Sequence, residues 1–472
     1  MASSLSLVLV LVLATSFFCV GCLAQLEQVG TRGIHPQQLQ RHPLRFREKC
    51  RYRRIDTLEP SRRVEAEAGI TEIWDENEEQ FVCAGAAAVR HVIRPRGLFL
   101  PAFTNGSGLQ GVVIPGCPET YESGEGSGSR FRGESGRGEG RDRHQKVRNV
   151  REGDVLALPA GVTHWIYNRG QSDLVLVSLI FTSNEANQLD NSVRQFFLAG
   201  NSQQRQQQQP AGGQQESFGN LLSGFGANIL ADSFNVDPGL AQRLRGEVDN
   251  RGHIVEVRDE LQIVAPHYEG GEEMEREWER ERETEGRRGW SNGLEETICT
   301  LRLRENIDDP KRADFYNPRG GRIATLNSFK LPILRHLQLS AERGILYSDA
   351  ITAPHYYSNS HGVIYSLRGR ARVQIVSDSG EAVFDGELRE GQLVVVPQTF
   401  AVLKKAGSEG FEWICFRTND LAMVSPLAGR LSVIRGLPED VLANAYDMSR
   451  EESRMIKYGR EEVAVFSPGL RD

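Results

Sequence analysis

The residues best placed for chemistry in this chain are an Asn-Gly pair and a cysteine six positions after it. The stretch SNGLEETICT puts Asn292 and Gly293 directly after a run of Glu and Arg, and it reaches Cys299 near its end. A charged run without an apolar stripe does not favour packing, so we expect the backbone here to be accessible to a protease. Asn-Gly also favours a hairpin turn, although the residues before it are not strand-like. The pattern therefore predicts a cleavable segment, with a cysteine to hold the two pieces together.

The apolar N-terminus determines how the 7 cysteines are interpreted. Residues 5–20 are apolar and lead into Cys22-Leu23-Ala24, which predicts a secretory signal cleaved between Ala24 and Gln25, with a signal-anchor helix as the alternative. Secreted chains pass through an oxidising compartment in which disulfides form. The cysteines that remain after cleavage are Cys50, Cys83, Cys117, Cys299 and Cys415. Two bridges can be drawn among them in several ways, and their spacing is not that of a zinc site.

Other catalytic patterns find no support in the sequence. The glycines between positions 124 and 140 lack the preceding strand and following helix that a phosphate-binding loop requires. No nucleophile elbow is found. Asn105-Gly106-Ser107 is an N-glycosylation sequon, which in a secreted chain predicts a surface loop.

Composition limits the class of protein. A chain of 472 residues with 39% hydrophobic content is long enough for two or three domains. The net charge of -7 is modest, so we predict neither a nucleic-acid nor a membrane partner. No later apolar stretch reaches the roughly 20 residues of a membrane span, so we expect a soluble mature chain. Arg far outnumbers Lys and Gln occurs in tracts from Gln203, a nitrogen-rich bias that solvated loops would also explain.

An internal repeat sets the architecture. REGDVLALPAGVTHWIYN at 151–168 matches REGQLVVVPQTFAVLKKA at 389–406, and Pro159 aligns with Pro397. Short runs rich in Val, Ile, Leu and aromatic residues predict antiparallel strands in both halves. Apolar residues three and four apart predict helices at 190–198, 228–234 and 439–456. We therefore expect a mainly β fold of two antiparallel β-barrel (jelly-roll) domains, each followed by α-helices whose apolar faces take a partner chain.

These motifs resemble those of a known family. The spacing Gly153, five residues, Pro159, one residue, Gly161, two residues, His164, three residues, Asn168 is similar to the second cupin motif, and with the repeat it resembles a bicupin. The stretches IPGCPETYES, NGLEETICT and PEDVLANAY resemble those of the legumin-type (11S) seed storage globulins. The resemblance covers nearly the whole mature chain, and NGLEETICT is its most specific part.

The resemblance implies a function and a processing pathway. It implies a nitrogen-rich storage precursor cut between Asn292 and Gly293 by an asparaginyl endopeptidase into an acidic and a basic chain. It also implies two disulfides, Cys50 with Cys83 and Cys117 with Cys299, which leaves Cys415 as a free thiol in an apolar strand. Such chains form homotrimers in the endoplasmic reticulum, and after cleavage they stack as homohexamers in protein storage vacuoles.

Three polar runs and the resemblance together give the expected domain boundaries. We expect a signal peptide at 1–24 and a first cupin domain at 25–201, with a Gly- and Arg-rich variable loop at 122–143. A Gln-rich loop, a helical extension and a charged linker follow at 202–292. A second cupin domain spans 293–430, and a C-terminal helical extension spans 431–472.

Cupin enzymes commonly hold a metal with histidines and a Glu, so the resemblance requires a search for these ligands. In the first half His164 stands at the second-motif position, but the place of the first motif reads Ala102-Phe103-Thr104. In the second half His355 is kept, and the other positions hold Tyr357, Gly362 and Val402. His361 lies close by without an acidic neighbour at a suitable spacing.

One imidazole in each half is too few for a metal site. We therefore predict no catalytic residue, no metal and no cofactor, and we expect His164 and His355 to be core or rim residues that make ordinary hydrogen bonds. The alternative function is a metal-dependent cupin oxidoreductase or isomerase. A sugar-binding or receptor-like cupin is a third reading, which would require a ligand pocket.

The first half is shorter than the family pattern. Pro354 and Gly369 are fifteen positions apart and enclose the strand GVIYSLRG, whereas Pro101 and Gly106 are only five apart. About one strand is therefore expected to be missing from the first half. Either a neighbouring segment replaces it or the natural chain contains residues that this sequence lacks.

Overall fold

The computed structural model describes residues 50, 52–104, 113, 121–122, 143–145, 147, 150–184, 187–189, 192–201, 219–259, 261 and 302–469. The chain divides into two compact units, 1–51 and 52–472. All the elements described below belong to the second unit. Within it we call residues 52–259 the first half and residues 302–469 the second half.

The first half is built mainly from antiparallel strands. Its strands are β1 Arg62–Ala66, β2 Gly69–Ile73, β3 Ala86–Ile93, β4 Gly97–Thr104, β5 Tyr121–Glu122, β6 Arg143–His144, β7 Asp154–Leu156, β8 His164–Tyr167, β9 Leu174–Phe181, β10 Gln195–Phe197 and β11 Ile254–Glu256. One sheet has the order β1-β2-β3-β9. In a second sheet β4 lies between β10 and β11 and also pairs with β8.

The second half contains one large antiparallel sheet. Its strands are β12 Arg304–Asn306, β13 Phe315–Asn317, β14 Gly321–Leu326, β15 Ser340–Leu346, β16 Ile351–Thr352, β17 His355–Tyr357, β18 Gly362–Val376, β19 Ala382–Arg389, β20 Leu393–Val396, β21 Ala401–Arg417, β22 Val424–Pro426 and β23 Val465–Phe466. β18 and β21 are the longest, and they pair with each other along most of their length. β18 pairs with β19 and β20 as well, which curves the sheet around one interior.

The sequence of β18 explains its two environments. Its first five residues, Gly362 to Ser366, are all buried, as expected for a strand that is covered on both faces. From Leu367 onward burial roughly alternates, because one face of the hairpin with β19 meets water. The first part of β18 therefore lies in the core, and the second part forms an amphipathic hairpin.

The two halves exchange their leading segments. Leu58, near the start of the first half, forms a bridge with Leu393 of β20. In the same way β12, near the start of the second half, pairs antiparallel with β7 of the first half, with Glu305 opposite Val155. A core cluster that includes Trp74, Leu156, Leu326 and Phe416 is shared between the halves. The two repeats thus share one core, and each pairs a segment near its start with a strand of the other.

Helices lie between the strands of each half and towards its end. They are α1 Glu79–Ala84, α2 Ala227–Phe234, α3 Pro238–Arg245, α4 Leu334–Leu337, α5 Val433–Gly436, α6 Glu439–Tyr446 and α7 Arg450–Tyr458. Pro238 opens α3, and the Asp237 side chain accepts a hydrogen bond from the Leu240 amide. Ser449 and Glu452 form a capping box at the start of α7. None of the helices in the described ranges is long and apolar enough to cross a membrane.

The prediction of a mainly β fold with helical extensions is confirmed, with two corrections to the helices. The helix predicted at 190–198 is wrong, because β10 lies there and pairs with β4, placing Phe197 opposite Ala102 in the core. The helix predicted at 439–456 is two helices, α6 and α7, separated at Asp447, whose φ is 51°. Tertiary pairing overrides the 3.6-residue pattern in the first case, and a left-handed residue ends the helix in the second.

The described residues of the first half contain no counterpart of the buried start of β18. In the second half this segment lies between β20 and β21. In the first half β7 pairs with β12, and β9 pairs with β3. The connection from Thr104 to Val113 lies outside the described residues.

Candidate functional site

The interior of the second half is where the cupin resemblance places a metal, and aromatic side chains fill it. His355 lies on β17, is buried, and its Nδ1 is 2.7 Å from the Ala353 carbonyl oxygen. The ring of Tyr357, two residues later, is fully buried with its centroid 5.4 Å from that of His355. A Cβ on Gly362 would meet Tyr357 Cε2 at 2.5 Å. The Tyr357 ring therefore leaves no room for a side chain at position 362, where the cupin resemblance would place a Glu ligand.

A buried ion cluster lies in the same interior. Glu342 of β15 forms an ion pair with Arg417 of β21 and accepts a hydrogen bond of 3.2 Å from Trp413 Nε1. The Arg417 guanidinium also lies 4.6 Å from the centroid of the Tyr357 ring. Burial by itself would raise the pKa of Glu342, but Arg417 and Lys404 hold it below its usual value. Glu342 is therefore ionised, and each of its carboxylate oxygens has a partner, Trp413 or Arg417. It is not free to act as a base.

Lys404 is the unusual member of this cluster. Its side chain has 0% exposure, and its Nζ lies 4.9 Å from the centroid of the Trp413 ring. No hydrogen-bond partner for Nζ is found among the described residues. Burial lowers the pKa of Lys404, and the charge of Glu342 offsets this only in part. The interior therefore carries two cationic groups against one carboxylate.

Cys415 is the buried free thiol, as the sequence predicts. Its Sγ lies 3.8 Å from the Tyr357 hydroxyl oxygen. Burial raises the pKa of the Cys415 thiol, which disfavours the reactive thiolate. His355 is held neutral, since burial lowers its pKa to about 3. Cys415 therefore lacks thiolate character, and His355 is too weakly basic for an efficient general base at neutral pH.

The interior of the first half contains three imidazoles, so the prediction of one per half is wrong there. His91 of β3 and His253 beside β11 join His164 of β8, and all three are buried. Thr71 Oγ1 lies 2.8 Å from His91 Nδ1 and 2.5 Å from His253 Nε2. The neighbours of His91 in β3, Arg90 and Val92, are less buried than His91 itself. This alternation along the strand is the one local signal that predicts a buried side chain for His91. Nothing local in the sequence brings His253 to it.

His164 packs against an aromatic ring. It stacks on Phe99 with ring centroids 5.7 Å apart and an interplanar angle of 9°. Its Nδ1 has no hydrogen-bond partner among the described residues, while a backbone hydrogen bond with Val162 raises its pKa and opposes the effect of burial. Burial lowers the pKa of His164 and of His253 to about 4, and it lowers that of His91 as well, helped by the neighbouring imidazoles. All three are neutral at pH 7.

Neither interior assembles a metal centre from the residues that the structure describes. No group of three or more His, Cys, Asp or Glu side chains in those residues could hold an ion. In the first half Thr71 contacts His91 and His253, and Phe99 stacks on His164. No carboxylate is among the groups that shift the pKa values of these three histidines. His361 accepts a hydrogen bond of 3.2 Å at Nδ1 from the Gln398 amide, at the rim. The arrangement favours packing over catalysis.

Most of the predicted processing residues lie outside the described ranges. They are the cleavage pair Asn292 and Gly293, the cysteines Cys117 and Cys299, the signal site Ala24 and Gln25, and the sequon residue Asn105. Cys50 and Cys83 are both disulfide-bonded.

The helical extensions present apolar side chains to the outside. Ile229 on α2 is 65% exposed and Met455 on α7 is 66% exposed. Further exposed apolar residues on or beside the helices are Leu221, Phe225, Phe234, Leu431, Val433, Val441, Tyr446, Ile456 and Tyr458. Exposed apolar area concentrated on helices marks a surface for association.

Comparison with known proteins places this architecture in a family. The Cupin family model matches twice, at residues 55–204 and 305–454, which together are more than half of the chain. The chain is 47% identical to the 11S globulin subunit beta of Cucurbita maxima over 478 residues, covering 97% of each chain. It is 51% identical to the 11S globulin seed storage protein Ana o 2.0101 of Anacardium occidentale over 434 residues, covering 89% of this chain and 93% of that one. The solved recombinant pro-11S globulin of pumpkin is 47% identical with a TM-score of 0.75, over 89% of this chain and all of that one.

Proposed function

Because the chain belongs to the 11S globulins, a bicupin family of seed storage proteins, we propose that it is a storage precursor cleaved between Asn292 and Gly293. Its function is seed storage. The nitrogen-rich composition supports this role, because Arg and Gln carry several nitrogen atoms in one side chain. An asparaginyl endopeptidase is the proposed processing enzyme, and the protein storage vacuole is the proposed place of accumulation.

The filled interiors support a protein that performs no catalysis. Tyr357, Trp413 and the Glu342–Arg417 ion pair occupy the interior of the second half, where a cupin enzyme would hold its metal. This single observation distinguishes a storage role from a metal-dependent oxidoreductase or isomerase. Metal analysis of protein purified without chelators tests the distinction. We expect less than one transition-metal ion per chain, and a full equivalent that is lost in a His355→Ala variant would contradict the proposal.

The proposed disulfides link the fragments that processing would produce. Cys117 with Cys299 joins the acidic chain to the basic chain, and Cys50 with Cys83 lies within the acidic chain. The long loop that Cys117 and Cys299 would close stabilises the uncut chain by about 5 kcal/mol in the chain-entropy model. Self-association is supported by the exposed apolar residues on α2, α6 and α7, and we propose homotrimers that pair as homohexamers after cleavage.

Cleavage can be tested with a pair of matched variants. Asn292→Gln keeps the amide but lengthens the side chain, and we expect purified asparaginyl endopeptidase to leave it uncut. Asn250→Gln changes an exposed asparagine elsewhere in the chain and should be cut as the natural sequence is. Cutting of both variants at the same position would contradict the proposed site.

A further inference from the structure

The two halves differ at one strand position. In the second half, Gly362 to Tyr365 of β18 pair with Val396 to Leu393 of β20 on one side. On the other side Gly362 to Tyr365 pair with Arg417 to Ile414 of β21. This segment is therefore the strand that joins β20 to β21.

The repeat identifies the matching strands of the first half. β7 corresponds to β20, because Pro159 aligns with Pro397 and because β12 pairs with β7 as Leu58 pairs with Leu393. β9 corresponds to β21, because β9 pairs with β3 in the way that β21 pairs with β15. Within the described parts of the chain no strand joins β7 to β9, and the two lie in different sheets.

The sequence accounts for this difference. The interval from Pro101 to Gly106 is five positions, and that from Pro354 to Gly369 is fifteen. When PAFTN is aligned with PHYYS and both glycines are matched, the residues of the second half without a counterpart are 359–368, NSHGVIYSLR. They contain the whole joining segment.

Val175 and Val177, near the start of β9, are more exposed than their counterparts on β21, which have β18 as a neighbouring strand. Val175 of β9 is 52% exposed, whereas Phe411, its counterpart on β21, is 1% exposed. Leu176 and Val177 are half-buried, whereas Trp413, the counterpart of Val177, is fully buried. Apolar side chains on a strand edge without a neighbour favour pairing with another strand.

We propose that the edges of β7 and β9 accept an added strand from an extended peptide whose central residues are uncharged and apolar. The second half shows what such a strand requires. Val363 and Tyr365 pack into the core that is shared by the halves, and Ile364 packs into the opposite core, so the strand must be apolar on both faces. The strand must also donate and accept backbone hydrogen bonds on both edges, which excludes proline. Main-chain pairing provides affinity, and the alternating side chains provide selectivity.

A synthetic peptide with the sequence of residues 359–368 tests the proposal on the full chain. We expect it to bind, and to slow hydrogen exchange by about tenfold or more at the amides that face away from β12 and β3, which are those of Leu156, Val175 and Val177. The control is the same peptide carrying Ile364→Pro, which should not bind. Binding of the control with equal affinity would contradict strand addition.

Three further outcomes also decide the proposal. A chain with a second copy of residues 359–368 inserted between Asn105 and Gly106 should unfold at a higher temperature and should no longer bind the peptide. Protection of the amides of Leu156, Val175 and Val177 in the unmodified chain without peptide would show that its own residues already fill the position, and it would overturn the proposal. Absence of peptide binding would overturn it as well. None of these outcomes depends on whether the chain is cleaved at Asn292.

Discussion

Thr71 holds two buried imidazoles together in the first half, and this contact could not be read from the sequence. Its hydroxyl meets His91 on the neighbouring strand and His253 much further along the chain. In the first half only His164 stands at a cupin motif position, whereas His91 and His253 belong to no motif. Buried histidines in contact through a hydroxyl are a consequence of packing, which a motif search does not detect.

These histidines make the first half sensitive to acid. Burial lowers the pKa of His164 and of His253 to about 4, against about 6.5 in the unfolded chain. The unfolded state therefore binds more protons, so the stability present above pH 6.5 is lost as the pH falls towards 4. We expect the free energy of unfolding to decrease by about 2 kcal/mol or more across this window, measured by urea unfolding at several pH values.

A pair of variants tests whether the buried histidines cause this acid sensitivity. His164→Phe keeps a ring stacked on Phe99 but removes one proton-binding site, so we expect a shallower loss of stability below pH 6.5. His336→Gln removes an exposed imidazole and should leave the pH profile unchanged. An unchanged profile in His164→Phe would show that other groups produce the acid sensitivity.

Lys404 gives a second prediction for a single residue. Its ammonium is buried without a hydrogen-bond partner among the described residues, while Glu342 is already paired with Arg417. Replacement of a buried charge by a hydrocarbon of similar length removes a desolvation cost. We therefore expect Lys404→Met to raise the free energy of unfolding by about 1–3 kcal/mol in urea titrations.

Arg417→Met is the matched control for Lys404→Met. It removes the partner of Glu342, and we expect it to lower the free energy of unfolding by about 3–5 kcal/mol. Equal destabilisation by both substitutions would contradict the assignment of Lys404 as the surplus charge.

At the level of elements, local patterns predicted the strands better than the helices. REGDVLALP and REGQLVVVP identified β7 and β20 because β-branched residues next to Gly and Pro carry a local signal. The apolar residues at 190–198 have the spacing of a helix. Gln195–Phe197 nevertheless forms β10, because it pairs with β4. The signal for β10 lies about ninety positions away, so no window along the chain could contain it.

The helix α7 permits a test of the association surface. Met455 is exposed and apolar, so a charge there should obstruct an apolar contact without changing the core. We expect Met455→Lys to shift the protein from oligomer to monomer in sedimentation velocity while its thermal unfolding as a monomer is unchanged. Ser379→Lys adds the same charge in the exposed turn between β18 and β19, and it should keep the oligomer. Dissociation of both variants would point to net charge as the cause.

At the scale of the molecule, each half pairs a segment near its start with a strand of the other half, and this exchange holds the halves together. Leu58 reaches β20, β12 reaches β7, and Trp74 lies edge-on to Tyr365 with ring centroids 6.2 Å apart. Arg90 of the first half also donates a hydrogen bond of 2.7 Å to the Tyr365 hydroxyl. A cut between the halves would therefore separate the covalent chain without separating the shared core. This architecture is suited to a precursor that is processed after it has folded.

The most direct test of the storage-precursor account is the mass of the protein purified from mature seed, measured with and without reductant. We predict one species without reductant, and two species corresponding to residues 25–292 and 293–472 after reduction, the second beginning at Gly293. A single uncut chain under both conditions, or two fragments that separate without reductant, would contradict the account.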